Sequence, residues 1–272
     1  METGGTVTDV TTEAGLEQPG TEVRTGVFSI IKFVAFFPLL YLVFRLVSAF
    51  VASLLEKGVL TNNMGLAEEM FPVYMVCFFL FFFPGLYLFN CALAGRRLRL
   101  DWRSMVLYMG ILLIAGITCE VGVDSLWVWL FGKPLWEYQI YPLHHGYTSG
   151  VAIVMWPMYG FYIYCLHCAI KQNPKLGILD NYLAKAALIG MDAMALEIMV
   201  NTFALALFQT YYFYYMPHDL NHFSSIQVFI PYVITGNIGL RILHRLDNSG
   251  RWRVPAGILL FAMGVFAMHF VI

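Results

Sequence analysis

The chain has 272 residues, 60% of them hydrophobic and only 12% charged, with a formal net charge of −1. A soluble domain carries about 25% charged residues, so this composition excludes one and predicts a membrane protein, in keeping with a mean hydropathy of +0.70. The near-zero charge balance leaves no basic surface for nucleic acid.

In chain order, residues 1–26 come first. They are acidic, rich in Thr and Gly and without apolar periodicity, and predict a disordered tail. They lack the basic start of a secretory signal peptide. Seven apolar runs follow, at 27–51, 71–93, 104–131, 146–170, 182–208, 225–243 and 254–272. Each is long enough to read as a membrane helix. The expected architecture is all-α: a polytopic domain of seven transmembrane helices over 27–272. The cysteines Cys77, Cys91, Cys119, Cys165 and Cys168 fall within or at the ends of these helices and read as small packing residues. The Cys165/Cys168 pair lacks the second pair that a metal or redox motif would need.

Basic residues concentrate in alternate loops. Arg96, Arg97, Arg99 and Arg103 mark the second loop, Lys171, Lys175 and Lys185 the fourth, and Arg241, Arg245, Arg251 and Arg253 the sixth. The positive-inside rule places these loops in the cytoplasm. The N-terminus is then cytoplasmic and the C-terminus external or luminal. The intervening loops, PLWEYQIYPLHHGY and TYYFYYMPHDLNHF, are dense in Trp, Tyr, His and Pro. Interfacial aromatic belts account for part of that density.

Two of the apolar runs contain a carboxylate, and the runs resemble each other at a spacing of 77 residues. Laid together without gaps, 120–145 and 197–222 pair Glu120 with Glu197, Asp124 with Asn201, Tyr138 with Tyr215 and His145 with His222. Phe131/Phe208 and Leu143/Leu220 also match. The pattern predicts a parallel internal repeat of helix–loop–helix units at 104–170 and 182–245. An intramembrane carboxylate costs ~2.5–3.5 kcal/mol on insertion scales and reads first as a functional residue.

Counting 1.5 Å per residue, both glutamates lie roughly 23–24 Å above the inner ends of their spans, and Asp124 and Asn201 one turn higher on the same faces. Arg45 falls in the same layer and is expected to neutralise the acids partly. Asp192 lies lower, near the midplane. The layer predicts a polar pocket under the aromatic loops, with Glu120, Asp124 and Glu197 as acid–base groups. Arg45, Asn201, Trp136, Tyr138, His145, Tyr159, Tyr215 and His222 are expected to contact the bound molecule.

Several chemistries fit such a pocket. Buried glutamates can exchange protons with an isoprenoid or lipid reached from the bilayer, and aromatic faces stabilise a cationic intermediate. A transporter or accessory membrane subunit would use the same residues to bind without catalysis, alongside a membrane-protein partner. Plain interhelical hydrogen bonding is the structural alternative. HDLNH at 218–222 has the spacing of a two-histidine metal motif. It follows Pro217 in a loop, however, so neither metal nor cofactor is assigned. GxSxG, P-loop and Rossmann glycine motifs are missing, which leaves ATP hydrolysis unsupported. The expected partners are membrane lipids and a lipophilic small molecule.

The segments GITCEVGVDSLW, HHGYTSGVAIVMWPMYGFYIYCLH and GMDAMALEIMVNTFALALF resemble the transmembrane protein 229 family and bacterial proteins labelled type IV ABC-transporter components. Glu120 and Glu197 match that family's two acids, and Pro157, Tyr159 and Gly160 its middle element. The likeness covers about 104–245, and Ala-Leu precedes Glu197 where the family would place a Trp. What it implies is architecture: two acid-bearing helices flanking a small-residue stretch, followed by an aromatic cluster.

Overall fold

The computed structural model describes residues 19–56 and 69–270, with the side chains of 19–35, 178 and 270 left aside. Seven α-helices are found among the described residues: α1 Pro19–Leu55, α2 Phe71–Ala94, α3 Trp102–Phe131, α4 Ala152–Gln172, α5 Tyr182–Phe208, α6 Phe229–Asp247 and α7 Arg253–Phe270. A π-helical turn at Phe78–Phe82 interrupts α2. Most of the tail expected over 1–26 lies outside the described residues. Its last part does not match the expectation, because α1 already begins at Pro19, a residue whose fixed φ and missing N–H suit a helix's first turn. The chain divides into Met1–Tyr41 and Leu42–Ile272, and the site lies within the second unit.

Six helical segments are long and apolar enough to cross a membrane: Phe36–Leu55, Phe71–Ala94, Trp102–Phe131, Ala152–Gln172, Ile226–Asp247 and Gly250–His269. They are compatible with an integral, multi-pass membrane protein. The expected seventh span coincides with α5 but is not in this set. Lys185, Asp192, Glu197 and Asn201 dilute its apolar run, and all but Asp192 are buried.

Side chains are sorted opposite to a water-soluble fold. Phe81, Trp129 and Leu80 are exposed at 72%, 78% and 64%, while Glu120, Glu197, Asp124 and Asn201 are buried. Water would penalise that outer surface by ~25 cal/mol per Å². Lipid tails impose no such penalty, so packing and polar contacts decide the interior.

Helix α3 packs along α7 and α4, α5 along α6, and α2 against α4. Small residues set the closest approaches. Gly110 of α3 lies directly on the backbone of Gly257 in α7, and a Cβ on Gly257 would meet Val106 O at 2.8 Å. Gly116 accommodates the Trp156 ring, and Gly160 of α4 sits on the Tyr108 carbonyl.

The basic loops gather at one end of the bundle. Arg253 Nη1 donates to Asp101 Oδ2 at 2.6 Å and to Ser104 Oγ at 3.0 Å. Ser104 in turn donates to Asp247 Oδ1 at 2.5 Å. Arg96 donates to the Gln172 carbonyl at 2.8 Å, and Asn173 to that of Leu93 at 2.7 Å. Lys171 and Lys185 flank Asp180 at 2.7 and 2.5 Å. These three loops therefore share one end, as the charge pattern predicts. The Lys171 and Lys185 ammonium groups also hold the Asp180 carboxyl below its ordinary value, overcoming the opposing effect of its partial burial.

The opposite end is a small folded layer. Gly132 and Gln209 close α3 and α5 in left-handed conformations, at φ 74° and 55°. Strand β1 (Trp136–Tyr138) then pairs antiparallel with β4 (Phe213–Tyr215). Trp136 lies opposite Tyr215, Glu137 opposite Tyr214 and Tyr138 opposite Phe213. β2 (Pro142–Leu143) pairs with β3 (Thr148–Ser149). α4 consequently starts at Ala152 rather than near 146.

Gly110→Val should therefore drive a side chain into the α7 backbone. Overpacking costs ~1–3 kcal/mol where side chains can move aside, and backbone has less freedom to yield. Thermal unfolding of the purified protein in detergent is expected to shift down markedly. Gly122→Val, at an exposed position with open space, should leave it nearly unchanged. Equal melting of the two variants would refute the close α3–α7 contact.

Candidate functional site

Glu120 of α3 and Glu197 of α5 each accept hydrogen bonds from hydroxyl groups. Tyr138 Oη donates to Glu120 Oε1, and Thr148 Oγ1 donates to Oε2 at 2.5 Å. At Glu197, Oε1 accepts from Tyr215 Oη at 2.7 Å and Tyr232 Oη at 2.5 Å, while Oε2 accepts from Ser224 Oγ at 2.5 Å. Each acid thus holds a tyrosine that lies 18 residues further along the chain. The two donors are the last residues of β1 and β4, so strand pairing delivers both phenols to the carboxylates.

Asp124 and Asn201, one turn further along these helices, secure the strands. Asp124 Oδ1 accepts from the backbone N–H of Leu135 at 2.7 Å and of Trp136 at 3.3 Å. Asn201 Oδ1 accepts from Tyr212 and Phe213 N–H at 3.0 and 3.2 Å, the same chain separations. Asn201 Nδ2 also donates to the carbonyls of Phe213 and Phe223 at 2.9 and 3.0 Å. Buried backbone groups require such partners. The structure thus gives Asp124, expected as an acid–base group, and Asn201, expected as a ligand contact, a backbone-holding role. The first clamps backbone through one oxygen, and the second has its amide filled by backbone.

Arg45, expected as a partial counter-charge and a ligand contact, lies elsewhere. It is exposed on α1, and among the described residues no ion pair joins it to either acid. The α1 contacts to the aromatic end come instead from Asn221 Nδ2, which donates to Ser48 Oγ at 3.0 Å, and from Tyr211 Oη, which donates to Glu56.

Two cavities of ≈ 100 Å³ each adjoin the acids. One lies among α3, α4 and α6 and is bounded by Ile111, Cys119, Trp136 and Thr235. The other is bounded by Phe78, Phe82, Tyr138, Glu197, Tyr212 and Phe213. Glu120, Trp156, Tyr159 and Tyr232 form walls common to both. Among the described residues Asp124 Oδ2 is buried without a hydrogen-bond partner, and the buried Tyr212 hydroxyl lies beside Ser149. Tyr159 Oη donates to the Ile189 carbonyl at 3.3 Å, and Tyr162 Oη donates to Asp192 Oδ1 at 3.0 Å on the other side of α4.

Of the predicted contact residues, the structure gathers Trp136, Tyr138 and Tyr159 around the cavities and places Tyr215 on Glu197. The histidines stand apart. His145 is exposed beside Tyr147. His222 Nδ1 lies 2.6 Å from the Tyr215 carbonyl, and its ring stacks on Tyr214 at 4.2 Å. Burial pushes the His222 imidazole below its ordinary value. His218 meets His222 edge-on at 4.5 Å, but no group of three metal-ligating side chains forms among the described residues.

Thr148, Ser224, Tyr232, Trp156 and Tyr212 belong to the site and were not singled out from sequence. A search for hydroxyls just beyond each matched histidine would have found Thr148 and Ser224. Nothing in the repeat points to Tyr232, since position 155 holds Met in the first unit.

Comparison with protein-family models, with curated proteins and with solved structures finds no match for this chain.

The clamp reading separates two substitutions of one residue. Asp124→Asn retains an acceptor for Leu135 and Trp136 and should be mild. Asp124→Ala orphans two buried N–H groups and should cost ~1–3 kcal/mol for each left unsatisfied. Thermal melts of the two variants compare them directly, and equal stability would remove the clamp role.

Proposed function

We infer that this chain binds a lipophilic small molecule in an intramembrane pocket, with Glu120 and Glu197 as its polar anchors. The observation that carries this reading is that both glutamates border the same aromatic-walled cavity while held by hydroxyl donors. Mostly apolar cavities with a few fixed polar groups are the usual form of small-molecule sites. A binding pocket requires nothing beyond this geometry. Acid–base catalysis on an isoprenoid or lipid, or carriage of the molecule across the bilayer, would each add a step to it.

The pocket is read as the product of a parallel internal duplication. Matched chain separations at Glu120/Glu197 and at Asp124/Asn201 support this. So does the β1–β4 register, which is symmetric about Glu137 and Tyr214, as two copies around a local twofold axis would make it. Left-handed backbone recurs at 77 residues too, at Gly132/Gln209, His144/Asn221 and His145/His222. The family likeness rests on the same two acid-bearing helices. Lipid is the expected surrounding partner, and the basic end is read as cytoplasmic.

Two measurements test this. In the Glu120→Gln, Glu197→Gln double variant, hydrogen bonding is largely kept but the carboxylates are gone. The protein should insert and fold while losing any small molecule that co-purifies with it, as read by mass spectrometry of the extracted protein. If the acids serve only as interhelical glue, with contacts that average ~0.6 kcal/mol in membranes, the variant will retain that molecule. For orientation, cysteine introduced at Arg97 should be protected from an impermeant thiol reagent in intact cells, and cysteine at Lys133 should react. The reverse pattern would invert the topology.

A further inference from the structure

We propose that the molecule bound between Glu120 and Glu197 is a lipophilic ammonium: an amine, protonated at neutral pH, on an apolar tail. This rests on the pocket reading above and names the chemistry of its occupant.

The electrostatic balance of the cavity is the first argument. Two carboxylates face it, and their hydrogen-bond partners are all uncharged: the hydroxyls of Tyr138, Thr148, Tyr215, Tyr232 and Ser224 and the Trp156 indole. Every ion pair among the described residues lies at the far, basic end, at Asp180, Asp101 and Asp247. Hydroxyls supply hydrogen bonds but no compensating charge, and buried charges are ordinarily paired. An anionic occupant would add a third negative group. A neutral one would leave the acids as they are.

The walls are the second argument. Trp156, Tyr159 and Tyr232 border both cavities, and Tyr138, Tyr212 and Phe213 complete the second. The faces of such rings attract cations, most strongly where water is excluded. The third argument is the Tyr212 hydroxyl. Tyr212 is 2% exposed and lines the second cavity, and its oxygen lies beside Ser149, whose own hydroxyl proton goes to the Ile140 carbonyl at 2.6 Å. It offers an acceptor to an N–H donor. Size agrees as well: each cavity of ≈ 100 Å³ suits a headgroup rather than a whole lipid. The tail would follow the apolar lining between α3 and α6, past Leu112, Ala115, Gly236 and Gly239.

The test uses the full-length protein in neutral maltoside micelles. Native mass spectrometry counts bound dodecyldimethylamine, which is protonated at pH 7, against dodecanol and dodecanoate. The amine is expected to bind saturably at one molecule per chain, at least ten-fold tighter than either comparison compound. Glu120→Gln with Glu197→Gln should reduce that preference at least ten-fold, and Tyr212→Phe should weaken the amine selectively. Dodecanol binding as tightly as the amine would overturn the ammonium proposal while leaving a lipophilic pocket in place. Tighter dodecanoate binding would overturn it likewise. Failure of all three compounds to bind saturably would remove both the pocket and its cationic ligand. Because the three compounds are compared on the wild-type protein, the test stands even if the double variant does not fold.

Discussion

A carboxylate in the interior of a membrane protein has no water to bind, so the protein must bring donors to it. Much of the structure around α3 and α5 follows from that requirement. Glu120 and Glu197 sit too deep for the aqueous loops to reach as flexible chain. The connections after α3 and α5 instead turn back as strands, and β1 and β4 pair so that the phenols of Tyr138 and Tyr215 reach the acids. The strands incur a requirement of their own, since their backbone N–H and C=O groups are also removed from water. Asp124 and Asn201 meet part of it from the helices on which the glutamates ride. Carboxylate, strand and clamp are thus joined by hydrogen bonds into one unit.

This coupling explains why the aromatic loops are ordered layers rather than surface connections. Phe223, Leu220 and Leu135 at this end are fully buried, whereas faces of α1 from Phe36 onward and of α2 are exposed. In water the opposite arrangement would be the stable one. In lipid the apolar helix faces are indifferent to their surroundings, and the polar contacts decide which elements are held together. The strained backbone is concentrated in the same layer. Five non-glycine residues of these two connections, from Tyr141 to His222, and Gln209 at the end of α5 have positive φ. Such strain persists only where the surroundings over-determine it, and the clamps provide that determination.

The sequence made the helices legible because membrane spans are long apolar runs, with no need to know what packs on what. It also made Glu120 and Glu197 legible, since a charge in an apolar run stands out against its neighbours. The matched Tyr138 and Tyr215 came with them through the repeat. Other parts were less visible. Asp124 reads as a second acid because a sequence gives only depth and helix face, and the backbone that it holds is defined only once β1 forms. Arg45 looked like a counter-charge because equal depth along two helices says nothing about their separation or rotation. Tyr232 was hidden for the complementary reason: it is an aromatic among many on α6, with no counterpart in the first unit, and only packing shows that it faces Glu197. The gapless alignment also slips near its end. Glu197 takes Ser224, although Ser225 is the position matched to Thr148, and Ser225 donates to Asp219 instead.

That slip bears on how the two acids differ. Glu120 is held by a tyrosine, a threonine and the Trp156 indole, and Glu197 by two tyrosines and a serine. Similar helices and strands thus surround the two carboxylates with different donor sets. The sets are equal in number and differ in kind, and the shared Tyr232 wall belongs to Glu197. Glu120 borders both cavities while Glu197 borders one. A pocket with two equivalent acids would bind its occupant in either direction. Donor sets that differ in kind make the two acids inequivalent, with Glu120 beside the Trp156 indole and Glu197 bonded to the Tyr232 wall that both cavities share.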